Sequence, residues 1–357
     1  MKRTAANVHA FALIGAQTMQ TPARSKMLFL KVALSLTVVT VLIVRFDWQT
    51  LPNQLNDYRW EFAALAFAGL LVQFPLSGLK WRAALHVCNV DLSFGLLTRF
   101  YCIAHFVGQF LPTSIGGDAY RIYRVLPLVA PRSRAVSSIV LDRVIGLGAL
   151  LCLGAAGAVT LIDEFWLPRS YLAAIGVGTA SALLGAAALY VGWLGLIRKK
   201  IQHHKWIVAL REDCMQLLRA GWRWVPLIFL AFLFQTVAVT IVYLLFVGAG
   251  SSIGFAEVAL ISAVTGVVGM IPLSINGLGI TEGSIALAGV ALGADYEDAV
   301  IAAMLLRVTV MPLSMACGVL YCCEPNTQEA RAVAPRTVIH ARESPSLARR
   351  WSQLLIK

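Results

Sequence analysis

Six apolar stretches of 17 to 27 residues limit what this chain can fold into more than any other feature. An α-helix needs about 20 apolar residues to cross the hydrocarbon core of a bilayer. Hydrophobic residues make up 59% of the chain and charged residues 13%, whereas a soluble domain has about 45–50% and about 25%. The sequence therefore predicts an all-α polytopic membrane protein and excludes a soluble enzyme, a coiled coil and a disulfide scaffold. The six predicted transmembrane helices are 28–44, 62–79, 136–162, 171–194, 226–247 and 299–321.

Two further apolar regions, 94–120 and 255–293, are each interrupted by proline and glycine. These residues break the hydrogen-bond ladder of a helix, and unpaired backbone groups are tolerated in a membrane only where they line a polar cavity. We therefore expect two broken or re-entrant helical elements in addition to the six full transmembrane helices.

The basic residues are distributed unevenly between the segments that connect the spans. With the N-terminus inside, the cytoplasmic segments hold 24 of the 30 Lys and Arg residues, and the outer segments hold only Arg45, Arg59 and Arg169. Lys and Arg collect in the cytoplasmic loops of membrane proteins. The distribution predicts that both termini are cytoplasmic, and it explains the net charge of +12 without a nucleic-acid partner.

The expected organisation is a cytoplasmic leader at 1–27, a membrane domain at 28–321 and a disordered cytoplasmic tail at 322–357. Met27 is an alternative first residue. The seven cysteines show no CxxC spacing, which indicates free thiols. His86, His105, His203 and His204 have no metal-like spacing with carboxylates, so we expect neither a metal site nor a cofactor.

The two broken elements resemble each other in sequence. Residues 112–117 (PTSIGG) align with residues 272–277 (PLSING) at an offset of 160 and match at four of six positions. Three full spans lie in each half of the chain. We therefore expect two inverted repeats, at about 28–162 and about 171–321, with opposite orientations in the membrane. Inverted repeats with discontinuous helices are typical of secondary transporters.

Charged residues occur at equivalent positions of the two halves. At an offset of 164, Asp118 aligns with Glu282 and Arg143 aligns with Arg307. Ionisable residues inside a membrane are costly and are therefore functional candidates. Because a guanidinium presents planar bidentate donors, two arginines that face one cavity would suit a phosphate group. The alternative is that they only neutralise acids: Asp118 or Asp142 with Arg143, and Glu282 with Arg307.

Polar and helix-breaking residues complete the predicted headgroup site. Ser114 and Asn276 either ligate the headgroup or cap helix ends, as such residues often do. The residues of the two breaks are Pro112, Gly116, Gly117, Pro272, Gly277 and Gly279. No catalytic residue is predicted.

Four further arginines follow the first break. They form a cytoplasmic basic cluster suited to anionic headgroups, or they are loop residues that obey the positive-inside bias. These residues are Arg121, Arg124, Arg132 and Arg134.

The chain contains two signatures, at residues 108–121 (GQFLPTSIGGDAYR) and 271–283 (IPLSINGLGITEG). It also contains two in-span arginine motifs, Leu-Asp-Arg143 and Leu-Leu-Arg307. All four resemble motifs of the flippase-like membrane family that includes the transmembrane half of lysylphosphatidylglycerol synthase. One departure is Thr281, where the family often has arginine. The resemblance covers the membrane domain but not the cytoplasmic aminoacyl-transferase domain of the synthase, so lipid aminoacylation is not implied.

The resemblance implies movement of a phospholipid, a polyprenyl-phosphate or a hopanoid-type lipid across or out of the bacterial cytoplasmic membrane. The sequence has no GxxxxGK[ST] motif, so transport would be passive, ion-coupled or driven by a partner. One alternative is an integral-membrane transferase on a lipid-linked substrate, with Asp47, Asp163 and Glu164 as its acids. Another is an accessory subunit that holds a lipid-biosynthesis enzyme. The expected partners are membrane lipids, and the oligomeric state is open.

Overall fold

The computed structural model describes residues 37–49 (except 39 and 42), 51–110, 116–161, 221–270 and 276–322. The predicted span 171–194, most of the span 28–44, the leader and the tail after Cys322 lie outside the described residues. Within the described ranges every regular element is a helix, which confirms the all-α prediction. The α-helices are α1 (Leu51–Asp57), α2 (Trp60–Val87), α3 (Phe94–Phe110), α4 (Gly116–Val125), α5 (Ser133–Thr160), α6 (Trp224–Gly248), α7 (Phe255–Met270), α8 (Ile280–Ala291) and α9 (Tyr296–Cys322).

Four of these helices, α2, α5, α6 and α9, are long and apolar enough to cross a membrane. They correspond to four of the six predicted spans. Many of their large apolar side chains are exposed, including Phe229 at 64% and Val308 at 61%. Such a surface is unusual for a soluble protein, but it is expected of helices that contact lipid. The chain is therefore a multi-pass membrane protein.

The two predicted broken elements are pairs of shorter helices. The first consists of α3 and α4, and the second consists of α7 and α8. At about 1.5 Å per residue, the 10 residues of α4 and the 12 residues of α8 are too short to cross a hydrocarbon core. The first region continues to Val125 rather than ending at Tyr120, because α4 carries on after the break.

Helices from the two halves of the chain pack crosswise. The most extensive contact joins α2 to α6. In addition, α3 packs on α9 and α7 packs on α5. Within each half, α3 contacts α4 and α7 contacts α8. Thus α3 contacts both its own short helix, α4, and α9 of the other half, and α7 contacts both α8 and α5 in the same way.

Small residues allow α5 and α7 to approach closely. A Cβ atom at Gly157 would lie 2.4 Å from the carbonyl oxygen of Ala256, and one at Gly154 would lie 2.4 Å from the Cβ of Ala263. Helices in membranes associate through van der Waals packing, which favours small residues where two backbones meet. The two glycines therefore fix how α5 lies against α7.

We expect Gly157→Ala to lower the stability of the protein by about 1–3 kcal/mol, the usual cost of overpacking. The added methyl group meets backbone atoms of α7, which cannot move aside as a flexible side chain would. Thermal unfolding of the detergent-solubilised protein would show a lower midpoint.

Gly269→Ala is the matched control, because a Cβ atom at this position of α7 has no neighbour within 4 Å. Equal midpoints for the two variants would contradict the close packing of α5 on α7.

Candidate functional site

An acid near the start of each short helix pairs with an arginine in the following long helix. In the first half, the Nε atom of Arg143 donates a 2.7 Å hydrogen bond to Oδ2 of Asp118. In the second half, the Nε atom of Arg307 donates to Oε1 of Glu282. Each acid is the third residue of its helix, and each pair is separated by 25 residues. The two pairs are therefore equivalent in position and in the donor atom used.

The turn before α8 holds Glu282 in place. Asn276, Gly277 and Gly279 have φ angles of 49°, 74° and 79°, a left-handed region that glycine adopts without steric cost. This turn directs the backbone N–H of Gly279 to Oε2 of Glu282 at 2.7 Å. An acid at the third helical position that accepts from the N-cap amide is a common helix start. Glu282 thus caps the start of α8 with one carboxylate oxygen and binds Arg307 with the other.

A mostly apolar cavity of about 210 Å³ with some polar lining lies at the second pair, between α3, the start of α8, and α9. The side chain of Arg307 is 20% exposed and that of Glu282 is 5% exposed. Because the cavity joins a charged pair to apolar walls, it suits an amphipathic ligand. Its lining consists of His105, Gln109, Asn276, Thr281, Glu282, Ala303, Leu306, Arg307 and Val310.

A side-chain hydrogen bond connects the regions of the two breaks. The Nδ2 atom of Asn276, just after the second break, donates to Oε1 of Gln109, just before the first. These residues are 167 positions apart in the sequence. In the first half, a Cβ atom at Gly117 would lie 2.7 Å from the carbonyl oxygen of Ala104, so α4 packs directly on the backbone of α3. The two interrupted elements therefore meet at α3.

The first pair belongs to a larger buried network, which we call the Arg121 cluster: Lys80, Asp118, Arg121, Asp142 and Arg143. Arg121 binds Oδ1 of Asp118 at 3.2 Å and Oδ2 of Asp142 at 3.0 Å. The ammonium of Lys80 lies 3.2 Å from Oδ1 of Asp142. Each acid is thus shared between two cations.

Aromatic rings cover the two buried cations of this cluster. The guanidinium of Arg121 lies 4.2 Å from the ring centre of Trp81, and the ammonium of Lys80 lies 4.5 Å from that of Phe234. A ring face attracts a cation because its quadrupole is negative there. The rings therefore stabilise the charges while they exclude water.

The two paired arginines keep their outer nitrogen atoms unused. Only Nε of Arg143 and of Arg307 is bound, and the terminal nitrogens of both have no acceptor among the residues that the structure describes. The side chain of Arg143 is 51% exposed. Each carboxylate therefore fixes the plane of a guanidinium and leaves its outer edge available to an anion.

The structure brings many of the predicted site residues together. Asp118 is the acid that pairs with Arg143, whereas Asp142 binds Arg121 and Lys80. Asn276 lines the cavity with Glu282 and Arg307. Gly116 and Gly117 open α4, and Gly277 and Gly279 form the turn before α8. Pro112, Ser114 and Pro272 lie outside the described residues.

Arg121 and Arg124 were predicted to belong to a cytoplasmic basic cluster or to be loop residues, and the prediction of a loop is wrong. Both are buried in α4, at 3% and 8% exposure. Lys80, which the sequence assigned to a cytoplasmic connection, is also buried in α2. The spacing of Asp118 and Arg121 was a usable signal, since residues three apart on a helix are neighbours.

The fold and the site define a polytopic helical membrane protein with acid–arginine pairs at two interrupted helices. The family described as lysylphosphatidylglycerol synthase TM region matches residues 28–318. The chain belongs to this family, as its signature motifs predicted, and its role is related to membrane lipids. No curated protein matches the chain in sequence.

We expect Glu282→Gln and Arg307→Met each to destabilise the protein by about 3–5 kcal/mol, because each leaves an unneutralised charge in a low-dielectric site. The double variant removes both charges and should unfold at a temperature closer to that of the wild type. Thermal unfolding in detergent would give the midpoints of the wild type, the two single variants and the double variant. Additive losses in the double variant would show that the two residues do not stabilise each other.

Proposed function

We propose that this protein is a flippase-like lipid transporter of the bacterial cytoplasmic membrane. Its substrate is a lipid with an anionic headgroup, a phospholipid or a polyprenyl-phosphate, which fits the arginine site better than a neutral hopanoid-type lipid does. One observation carries the proposal: an acid of each interrupted element holds an arginine of the following long helix by Nε, while the outer nitrogens of that arginine have no acceptor among the described residues. A guanidinium held in this way can still bind a phosphate bidentately.

The proposed architecture is a pair of inverted repeats with both termini cytoplasmic. Three observations support it: the crosswise packing of α3 on α9 and α7 on α5, the equal spacing of the two acid–arginine pairs, and the bond between Gln109 and Asn276. In transporters with this design the substrate binds at the interface of the repeats. The uneven distribution of Lys and Arg supports the orientation.

In the proposed mechanism the headgroup moves past the two arginines in turn while the lipid chains stay in the bilayer. Asp118 and Glu282 hold the arginines by Nε, so a headgroup can bind the outer nitrogens without first breaking an ion pair. This arrangement keeps the barrier low, because neither guanidinium is left unpaired in a low-dielectric site before or after the lipid passes. His105, Gln109 and Asn276 offer further polar contacts in the cavity beside Arg307.

We expect Arg143→Lys and Arg307→Lys each to slow lipid movement at least about tenfold, because lysine keeps the charge but lacks the planar fork. Scrambling of a fluorescent anionic phospholipid in proteoliposomes, measured by dithionite quenching, reports the rate. The alanine variants at both positions should abolish movement while the protein still inserts.

Arg82→Lys is the matched control, since Arg82 is an exposed arginine of α2 that belongs to neither pair. Its rate should equal that of the wild type. Unchanged rates for both site variants, at equal reconstitution, would refute the proposed function.

A further inference from the structure

The two acid–arginine sites differ in charge. The Arg121 cluster contains three cations, Lys80, Arg121 and Arg143, and two carboxylates. The second site contains one cation, Arg307, and one carboxylate, Glu282. Among the described residues no further charged side chain is paired with either group. The first site therefore carries a formal charge of +1, and the second is neutral.

The excess charge of the first site is enclosed on all but one side. The side chains of Lys80, Arg121 and Asp142 are only 9%, 3% and 4% exposed, and aromatic rings cover both buried cations. Arg143 is the one member of the cluster with a largely exposed side chain. Uncompensated charge in a low-dielectric interior is unfavourable and attracts a counter-ion. Within the described part of the chain, Arg143 is therefore the member of the cluster that is most open to an approaching anion.

We propose that the Arg121 cluster is the resident site for one phosphate group, and that the neutral site at Arg307 binds the same group weakly and serves for passage. This inference rests on the proposed function and adds to it that the first site binds the phosphate group more tightly than the second. Lys80 acts here without touching the ligand, since its ammonium lies against Asp142 and the ring of Phe234. Its charge offsets Asp142 and so leaves the charge of Arg143 uncancelled.

The charge of the cluster can be changed without altering Arg143. Lys80→Met brings the cluster to zero, and the double variant Lys80→Met/Asp142→Asn returns it to +1. Asp142→Asn alone raises it to +2, while the amide oxygen can still accept from Arg121. Arg82→Met removes an exposed charge two residues from Lys80 on the same helix and is the matched control.

The test measures binding of fluorescent phosphatidic acid to each full-length variant in phosphatidylcholine nanodiscs. We expect Lys80→Met to weaken binding about tenfold, which is about 1.4 kcal/mol. The double variant should restore binding, Asp142→Asn should tighten it, and Arg82→Met should leave it unchanged. A purely structural role of the Lys80–Asp142 pair would make the double variant as weak as the single one, and that result would overturn the inference.

Competition with inorganic phosphate distinguishes the two sources of the phosphate group. Displacement of the lipid by low phosphate concentrations would identify a site for free phosphate, and resistance would identify a site for the lipid headgroup; both support an anion site.

If Lys80→Met does not fold, equal or weaker binding by Asp142→Asn still overturns the inference. Normal binding by Lys80→Met together with slow scrambling by the Arg→Lys variants would refute only the charge asymmetry.

Discussion

The bond between an arginine Nε and a carboxylate is the interaction on which the rest of the site depends. A lone guanidinium or carboxylate inside the membrane would be strongly unfavourable, and the start of a short helix has backbone N–H groups without partners. Glu282 meets both needs, because one oxygen accepts from Gly279 and the other from Arg307. Asp118 meets the first need by binding Arg143 and Arg121. Interrupted helices and buried charges thus stabilise each other.

Close backbone packing holds these helices at a fixed distance. Gly117 lets α4 lie on the backbone of α3, and Gly157 lets α5 lie on α7. In lipid there is little hydrophobic gain from bringing helices together, so tight contact between small residues supplies much of the attraction. The crosswise packing then makes each site depend on both halves. The cavity at Arg307 takes His105 and Gln109 from α3, and the Arg121 cluster takes Phe234 from α6.

The sequence predicted the four long helices that the structure describes, the two breaks and the pairing of Glu282 with Arg307, because apolar length and repeated motifs are local signals. It left the partner of Arg143 open between Asp118 and Asp142. It misplaced Lys80, since α2 continues to Val87, well past the end of its apolar stretch. Arg121 was assigned to a cytoplasmic cluster or a loop for a similar reason: a helix of mixed polarity such as α4 looks like a loop in a hydropathy pattern. Contacts between distant residues, such as Gln109 with Asn276, leave no periodic trace in the sequence.

The bond between Gln109 and Asn276 joins two neutral amides. Neither amide titrates in the physiological range, and their attraction is screened little by dissolved salt compared with that of ions on a surface. This hydrogen bond between the interrupted elements is therefore indifferent to acidification and to changes of ionic strength.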